Sequence, residues 1–403
     1  MKIFKNIGPA TLIAAAFIGP GTVSVCALAG FNHGMTLIWV MFVAMFMTIF
    51  LQELSARLAI IHQMDLTELL QTKLQNNQFL KILVLILIFI AIVFGNAAYE
   101  AGNLSGINIG LQILDYNEFF ISVTGVKINY AVIIISLVAF FILHIKQYRY
   151  IEKTLMVLVG ILSVCFMITA VITSIENQNF WSEIFSASFP IDDFLILTAL
   201  IGTTVVPYNL FLHAALAKQK WKSASDVSGM RIDTISAVFV GILVSICIII
   251  VTANVSDYTQ DIKGIGLALK PLFGEFSIYL VGIGYVSAGL TSSITAPLAA
   301  AYVLNKLFSL NYNPQSLAFK RLSYSILFIG CIIAALDFNP MEVIRIAQVA
   351  NAIILPVLVI LLIWLAYKFT TTKMSWWFSI FSFLTLSFSI SISFSSIYKI
   401  FFQ

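Results

Sequence analysis

The stretch Ile18-Gly19-Pro20-Gly21-Thr22 sits in the middle of an apolar segment, residues 8–30, that is otherwise long enough to cross a bilayer. Gly and Pro in succession break a helix, and in hydrocarbon every N–H and C=O so released must find a partner inside the protein or at a water-filled cavity. A second break, Val205-Val206-Pro207-Tyr208-Asn209, lies in the later apolar segment 193–217. Two interrupted spans in matching halves of a chain point to a secondary transporter with its binding site near mid-membrane.

Composition sets the broad class. Of 403 residues, 60% are hydrophobic and 10% charged, and the mean hydropathy is +1.00. Soluble domains hold nearer half and a quarter, so the chain belongs in a bilayer. Its formal net charge of +4 is too small to suggest nucleic-acid binding. Cys26, Cys165, Cys247 and Cys331 stand singly in apolar runs and read as packing residues. There is no Walker loop, H-E-x-x-H or nucleophile elbow, so neither an enzyme nor a cofactor is expected.

Apolar segments lie near 8–30, 35–60, 79–103, 128–146, 150–175, 193–217, 232–254, 276–305, 318–336, 343–367 and 375–400. That predicts eleven spans, each near the roughly 20 residues needed to cross. The runs are continuously apolar without period-two alternation, which favours helices over barrel strands. With the N-terminus cytoplasmic, the outer side holds only Lys127, Lys263, Lys270, Arg345 and Lys399 of the 22 Lys and Arg residues. This positive-inside bias predicts a multi-pass protein of the inner (plasma) membrane, N-terminus inside and C-terminus outside. A cleaved signal peptide over residues 1–30 is the rival reading, but Gly19-Pro20-Gly21 interrupts its would-be apolar core.

One transmembrane domain is expected. Spans 1–5 (8–175) and 6–10 (193–367) would form two five-helix repeats, the second inverted because five is odd, with span 11 (375–400) as an appendage. Outer loops 104–127, 176–192 and 255–275 are too short for a further domain, and 264–273 reads as an amphipathic helix lying on the membrane.

Gly8-Pro9-Ala10 followed by Gly19-Pro20-Gly21-Thr22 resembles the opening of the Nramp transporters, the natural resistance-associated macrophage proteins. Leu51-Gln52-Glu53-Leu54-Ser55-Ala56-Arg57-Leu58 is similar to the family's span 2, and Pro207 with Asn209-Leu210-Phe211-Leu212-His213 to its span 6. Ala288-Gly289 with Ser292-Ser293-Ile294-Thr295 resembles span 8, and Gln348-Val349-Ala350 with Leu355-Pro356 resembles span 10. The resemblance runs nearly the whole chain. It implies an all-α, leucine-transporter-like fold, a 5+5 inverted repeat with spans 1 and 6 broken. It also implies secondary active transport of a divalent metal cation by alternating access with protons.

The chain departs from that family at the site itself. The span 1 motif Asp-Pro-Gly-Asn, whose Asp and Asn hold the metal, is here Gly19-Pro20-Gly21-Thr22. Met-Pro-His of span 6 is Val206-Pro207-Tyr208, which removes the soft thioether, and the ligand Gln of span 10 aligns with Ile354. Where span 3 of the family carries an Asp and a Glu on a proton route, Asn96 and Tyr99 stand, with Glu100 one residue on.

A dehydrated divalent cation needs several ligands and usually a negative charge, and this site lacks the charge. Main-chain carbonyls freed around Gly19, Pro20, Gly21, Thr22, Val206 and Pro207 remain, with the hydroxyls of Thr22, Thr203, Thr204 and Tyr208 and the amide of Asn209. Thr22, Tyr208 and Asn209 are the candidate metal ligands. Such a set suits a partly hydrated cation, and equally a small organic solute such as an amino acid capping the half-helix ends. Glu100 alone of the 18 acidic residues is placed within a span, where an ionisable group costs about 2.5–3.5 kcal/mol and marks an ion path. Glu100, Asn96, Tyr99 and His213 are the candidates for proton coupling, and Thr291, Ser292 and Ser293 for a sodium site. A non-transporting membrane sensor is a third reading; it would be expected to carry a soluble signalling domain, and the chain ends at Gln403 just after its last span.

Overall fold

The computed structural model describes residues 18–116, 119–123, 125–145, 149–190, 192–255, 262–310, 312–369 and 376–402. Gly8-Pro9-Ala10 and the first half of the opening span lie outside these. The second half is α1 (Pro20–His33), which starts with Gly19 extended and Pro20 in the first turn, where a missing N–H costs nothing. Next come α2 (Ile38–His62), a short α3 (Leu66–Lys73) and α4 (Gln78–Ile113). A two-stranded antiparallel hairpin, β1 (Phe120–Val123) and β2 (Val126–Asn129), leads to α5 (Tyr130–His144) and α6 (Arg149–Glu176). The second half comprises α7 (Phe180–Phe185), α8 (Phe194–Thr204), α9 (Pro207–Lys220), α10 (Val227–Ala253), α11 (Ile262–Leu267) and α12 (Lys270–Phe273). It ends with α13 (Ser277–Leu307), α14 (Leu317–Ala335), α15 (Pro340–Phe369) and α16 (Trp376–Phe402).

Among the described residues nine helical stretches are long and apolar enough to cross a membrane, with α8 and α9 forming one of them. Tyr130–His144 is apolar but shorter. Large side chains such as Phe79, Phe94, Phe141, Ile175, Phe328 and Phe383 face outward, as expected where hydrocarbon is the solvent.

Two expectations are corrected. Span 3 runs to Ile113, ten residues past its predicted end. Residues 104–113 are diluted by Ser105, Asn108 and two glycines, which lowers their hydropathy, yet they are buried, with Gly110 against the Gly282 carbonyl and Tyr285 of α13. Contact with protein replaces contact with lipid there, so polarity is tolerated. The 264–273 segment does not lie on the membrane as a free amphipathic helix: Ile265, Ala268 and Leu269 are buried, and Gly266 packs beside Ile113 and Ile278. The last span, expected as an addition to the two repeats, packs on α8 and α15. Its buried Ser/Thr stripe includes Ser393, which donates to the Ile353 carbonyl of α15 at 2.9 Å, and Ser396, 2.6 Å from Thr198 of α8.

Candidate functional site

At both breaks read from the sequence, the described backbone is non-helical. Gly19 is extended (φ −91, ψ 175) before Pro20, and its carbonyl accepts from Val23 N at 3.2 Å. Between α8 and α9, Val205 (φ −100, ψ 75) and Val206 (φ −89, ψ 127) leave helical geometry, and the Val206 carbonyl accepts from Asn209 N at 3.1 Å. Pro207 lacks the N–H that would continue the helix upstream. Helix α15 passes against both breaks at one residue. A Cβ on Gly21 would overlap the Gln348 side-chain amide, and one on Gly202 would overlap the Gln348 carbonyl oxygen. Glycine is needed at both places for close approach rather than for a turn.

Around this crossing sit buried polar atoms without partners among the described residues: both amide atoms of Asn209, the Tyr208 hydroxyl, and Oδ1 of Asn96 and of Asn351. The other end of Asn351 donates to Gln348 Oε1 at 3.3 Å, and Asn96 Nδ2 donates to the Ile92 carbonyl at 2.7 Å. Asn351 Oδ1 lies by Gly95, within 3.7 Å of where a Cβ would stand. Tyr208 meets Tyr99 edge-on, ring centroids 5.5 Å apart. An orphaned buried polar group costs about 1–3 kcal/mol, so a cluster of them implies water or ligand.

Thr203 and Thr204 contribute less than the sequence suggests. Their hydroxyls donate to Leu200 O at 2.7 Å and Ile201 O at 2.9 Å, in their own last turn, leaving only lone pairs to offer. Thr22 is buried and engaged. Gln348 and Asn351 are site residues that the sequence reading missed as such. Their signal is a polar i, i+3 pair inside an apolar span, placing both on one face.

Glu100 is fully buried, but it turns away from the breaks. Its Oε2 accepts from Asn103 Nδ2 at 3.3 Å, and its Cγ would stand 2.6 Å from a Cβ at Gly330 of α14. The carboxyl also faces the Ser293 hydroxyl. Glu100 is not the only buried carboxylate: Glu53, Asp65 and Asp233 are buried as well. Glu53 is ion-paired with Arg57 and Arg231 at 2.5 and 2.9 Å. The three hydroxyls of the sodium candidate diverge. Ser293 faces Glu100, Ser292 neighbours Tyr99, and Thr291 donates to the Ser287 carbonyl of its own helix at 2.8 Å. His213, one turn after Asn209, is buried beside the Gln52 backbone of α2, and both Gln52 side-chain amide atoms are without a partner among the described residues.

Among the described residues no group of three or more His, Cys, Asp and Glu could hold a metal. The site offers neutral oxygen: amides, a phenol and carbonyls. Such donors fit a hard or partly hydrated cation better than a bare soft one.

At the α3 end, the Asp65 side chain accepts from Glu68 N at 3.0 Å and Glu68 bonds back to Asp65 N. Glu68 also pairs with Lys306 of α13 at 2.6 Å and Lys218 of α9 at 3.0 Å. Partial burial raises the Glu68 carboxyl, but the hydrogen bonds from Lys306, Asp65 N and Lys218 outweigh it and hold its pKa at about 2. Burial pushes Asp65 upward.

Residues 10–399 match the family model described as natural resistance-associated macrophage protein-like, Nramp. The natural resistance-associated macrophage protein 2 homolog of Dictyostelium discoideum is 26% identical over 382 residues, covering 90% of this chain and 58% of that protein. The divalent metal cation transporter MntH of Caldanaerobacter subterraneus subsp. tengcongensis is 26% identical over 374 residues, covering 89% and 84%. A crystal structure of the Eremococcus coleocola manganese transporter, bound to an aromatic bis-isothiourea compound, superposes with a TM-score of 0.75 at 17% identity, covering 98% of this chain and 85% of that one. The chain belongs to the Nramp family and has its leucine-transporter-like fold. It is a multi-pass membrane protein.

Proposed function

From membership of the Nramp family, we propose that this protein is a secondary active transporter that moves a divalent metal cation by alternating access around its two helix breaks. The observation that carries the reading is the crossing at Gln348, where α15 closes on Gly21 and Gly202 beside unpartnered Asn209 and Tyr208. A cation there would be held by the last carbonyls of α8, which no following turn takes up, by Tyr208, Asn209 and Gln348, and by retained water. The repeats 8–175 and 193–367 would rock against each other about this point, opening it to each face in turn. We place the N-terminus in the cytoplasm and the protein in the plasma membrane, on the distribution of Lys and Arg.

Proton coupling is assigned to Glu100, with His213 as the second group. A buried carboxyl held by the neutral side chains of Asn103 and Ser293 can take and release a proton without breaking a structural ion pair. The family names of relatives such as MntH support a metal cargo, while the neutral donor set shapes its class. Counterflux of Mg, Ca, Mn, Fe and Zn into proteoliposomes, with amino acids as a second panel, tests the reading. Saturable uptake of divalent cations that quickens with an inward proton gradient is expected; saturable uptake of an amino acid alone would transfer the site to an organic solute.

A further inference from the structure

A groove of about 900 Å³ lies outside the site, walled by α8 and α16, with Trp39 of α2 and Arg345 of α15 also lining it. Its body is apolar, with Phe194, Leu197, Ile201, Phe388, Ile392 and Phe394. Its charges are confined to one end, where α8 begins and α16 finishes: Asp192, Asp193, Arg345 and Lys399. Along α16 the wall runs from Phe388 to Lys399, about 16 Å at 1.5 Å per residue. That depth matches one leaflet, about half of 30 Å of hydrocarbon. The mouth carries two carboxylates and two cations, so it complements a headgroup bearing both charges rather than an anion. Asp193 is taken by His33 at 3.2 Å, and Arg345 pairs with Glu342 at 2.7 Å while lying 3.9 Å from Asp193. Lys399 donates to the Asp192 main-chain carbonyl, while the exposed Asp192 carboxylate has no partner among the described residues.

We propose that this groove holds one acyl chain of an amine-bearing zwitterionic phospholipid, its ammonium at Asp192 and its phosphate at Arg345 and Lys399. The bound chain lies along Leu197 and Ile201 of α8, the half-helix whose Gly202 closes on Gln348. The lipid thereby braces a part that must move during the cycle.

The test uses full-length protein keeping Trp39 and carrying Phe at Trp181, Trp221, Trp364, Trp376 and Trp377, delipidated in detergent. It is titrated with phosphatidylethanolamine, phosphatidylglycerol or free fatty acid, each brominated in the acyl chain, and Trp39 fluorescence is read. Saturable quenching by phosphatidylethanolamine is expected, with half-saturation about three- to fivefold below that of phosphatidylglycerol, the preference one exposed ion pair supports. Asp192→Asn should erase the preference, and Ser391→Phe with Ser395→Phe should abolish saturation by filling the groove. The thermal shift that each unbrominated lipid gives the unsubstituted protein is a second readout, independent of the tryptophan changes and expected in the same order. Quenching linear in lipid fraction for all three probes, equal or tighter binding of phosphatidylglycerol, or saturation unchanged in the filled variant would overturn the proposal.

Discussion

Gly19, Val206 and Glu100 each carry a prediction. Gly19 sits at φ −91, a backbone any residue adopts, so Gly19→Asp is admissible and would return a carboxylate to the first break. Combined with Val206→Met it should raise Mn or Cd binding at least tenfold, by charge and by a soft ligand, in isothermal titration. The native protein should discriminate poorly against Mg and Ca; tight, selective Mn uptake by it would contradict this assignment. Gly21 and Gly202 separate binding from stability. The atom in the way of a side chain at Gly21 is the movable end of Gln348, whereas at Gly202 it is main chain. Gly21→Val should therefore lower substrate affinity more than it lowers the unfolding temperature. Gly202→Ala should cost stability directly, about 1–3 kcal/mol as overpacking does, read by thermal unfolding in detergent. Glu100→Gln keeps an acceptor for Asn103 and should leave the fold intact while removing the pH dependence of uptake. Unchanged coupling in that variant would move the role to His213.

At the scale of elements, the breaks were legible because Pro and Gly act through the backbone, wherever the side chains point. The partners of those breaks were less so. Gln348 and Asn351 look like dilution of an apolar span until α15 is seen crossing Gly21 and Gly202. Glu100 was found by its charge, yet its direction towards Gly330 depends on how α4 packs on α14, which no local pattern encodes. Asn103, Ser105 and Asn108 hid the last turns of α4 for the same reason, since hydropathy does not distinguish protein-facing from lipid-facing positions. Pro207→Ala should restore a donor at the start of α9 and favour continuity with α8, weakening cargo binding more than thermal stability. The latch at α3 gives a pH dependence. The Glu68 carboxyl is held at about 2 against an ordinary 4.5, so its ion pairs with Lys306 and Lys218 stabilise the fold fully above 4.5 and are lost as pH falls through 2. Half exposed, each pair is worth about 1 kcal/mol or less. Glu68→Gln should lower the unfolding temperature at pH 7 and progressively less below pH 4.5.

Taken whole, the molecule places neutral donors where α1 and the α8–α9 break meet α15, the Glu100 carboxyl on α4 beside α14, and ion pairs at either end. Asp193 with His33 and Arg345 closes one end, and Glu68 with Lys218 and Lys306 the other. Alternating access requires these two sets to loosen in turn, whatever cargo lies between them. The most direct measurement is uptake of Mg, Ca and Mn into proteoliposomes by the native protein beside Gly21→Val, each shown folded by its thermal transition. The account predicts saturable uptake of all three cations by the native protein and its loss in Gly21→Val. Uptake no greater than in protein-free vesicles for every divalent cation, or uptake undiminished in folded Gly21→Val, would contradict it.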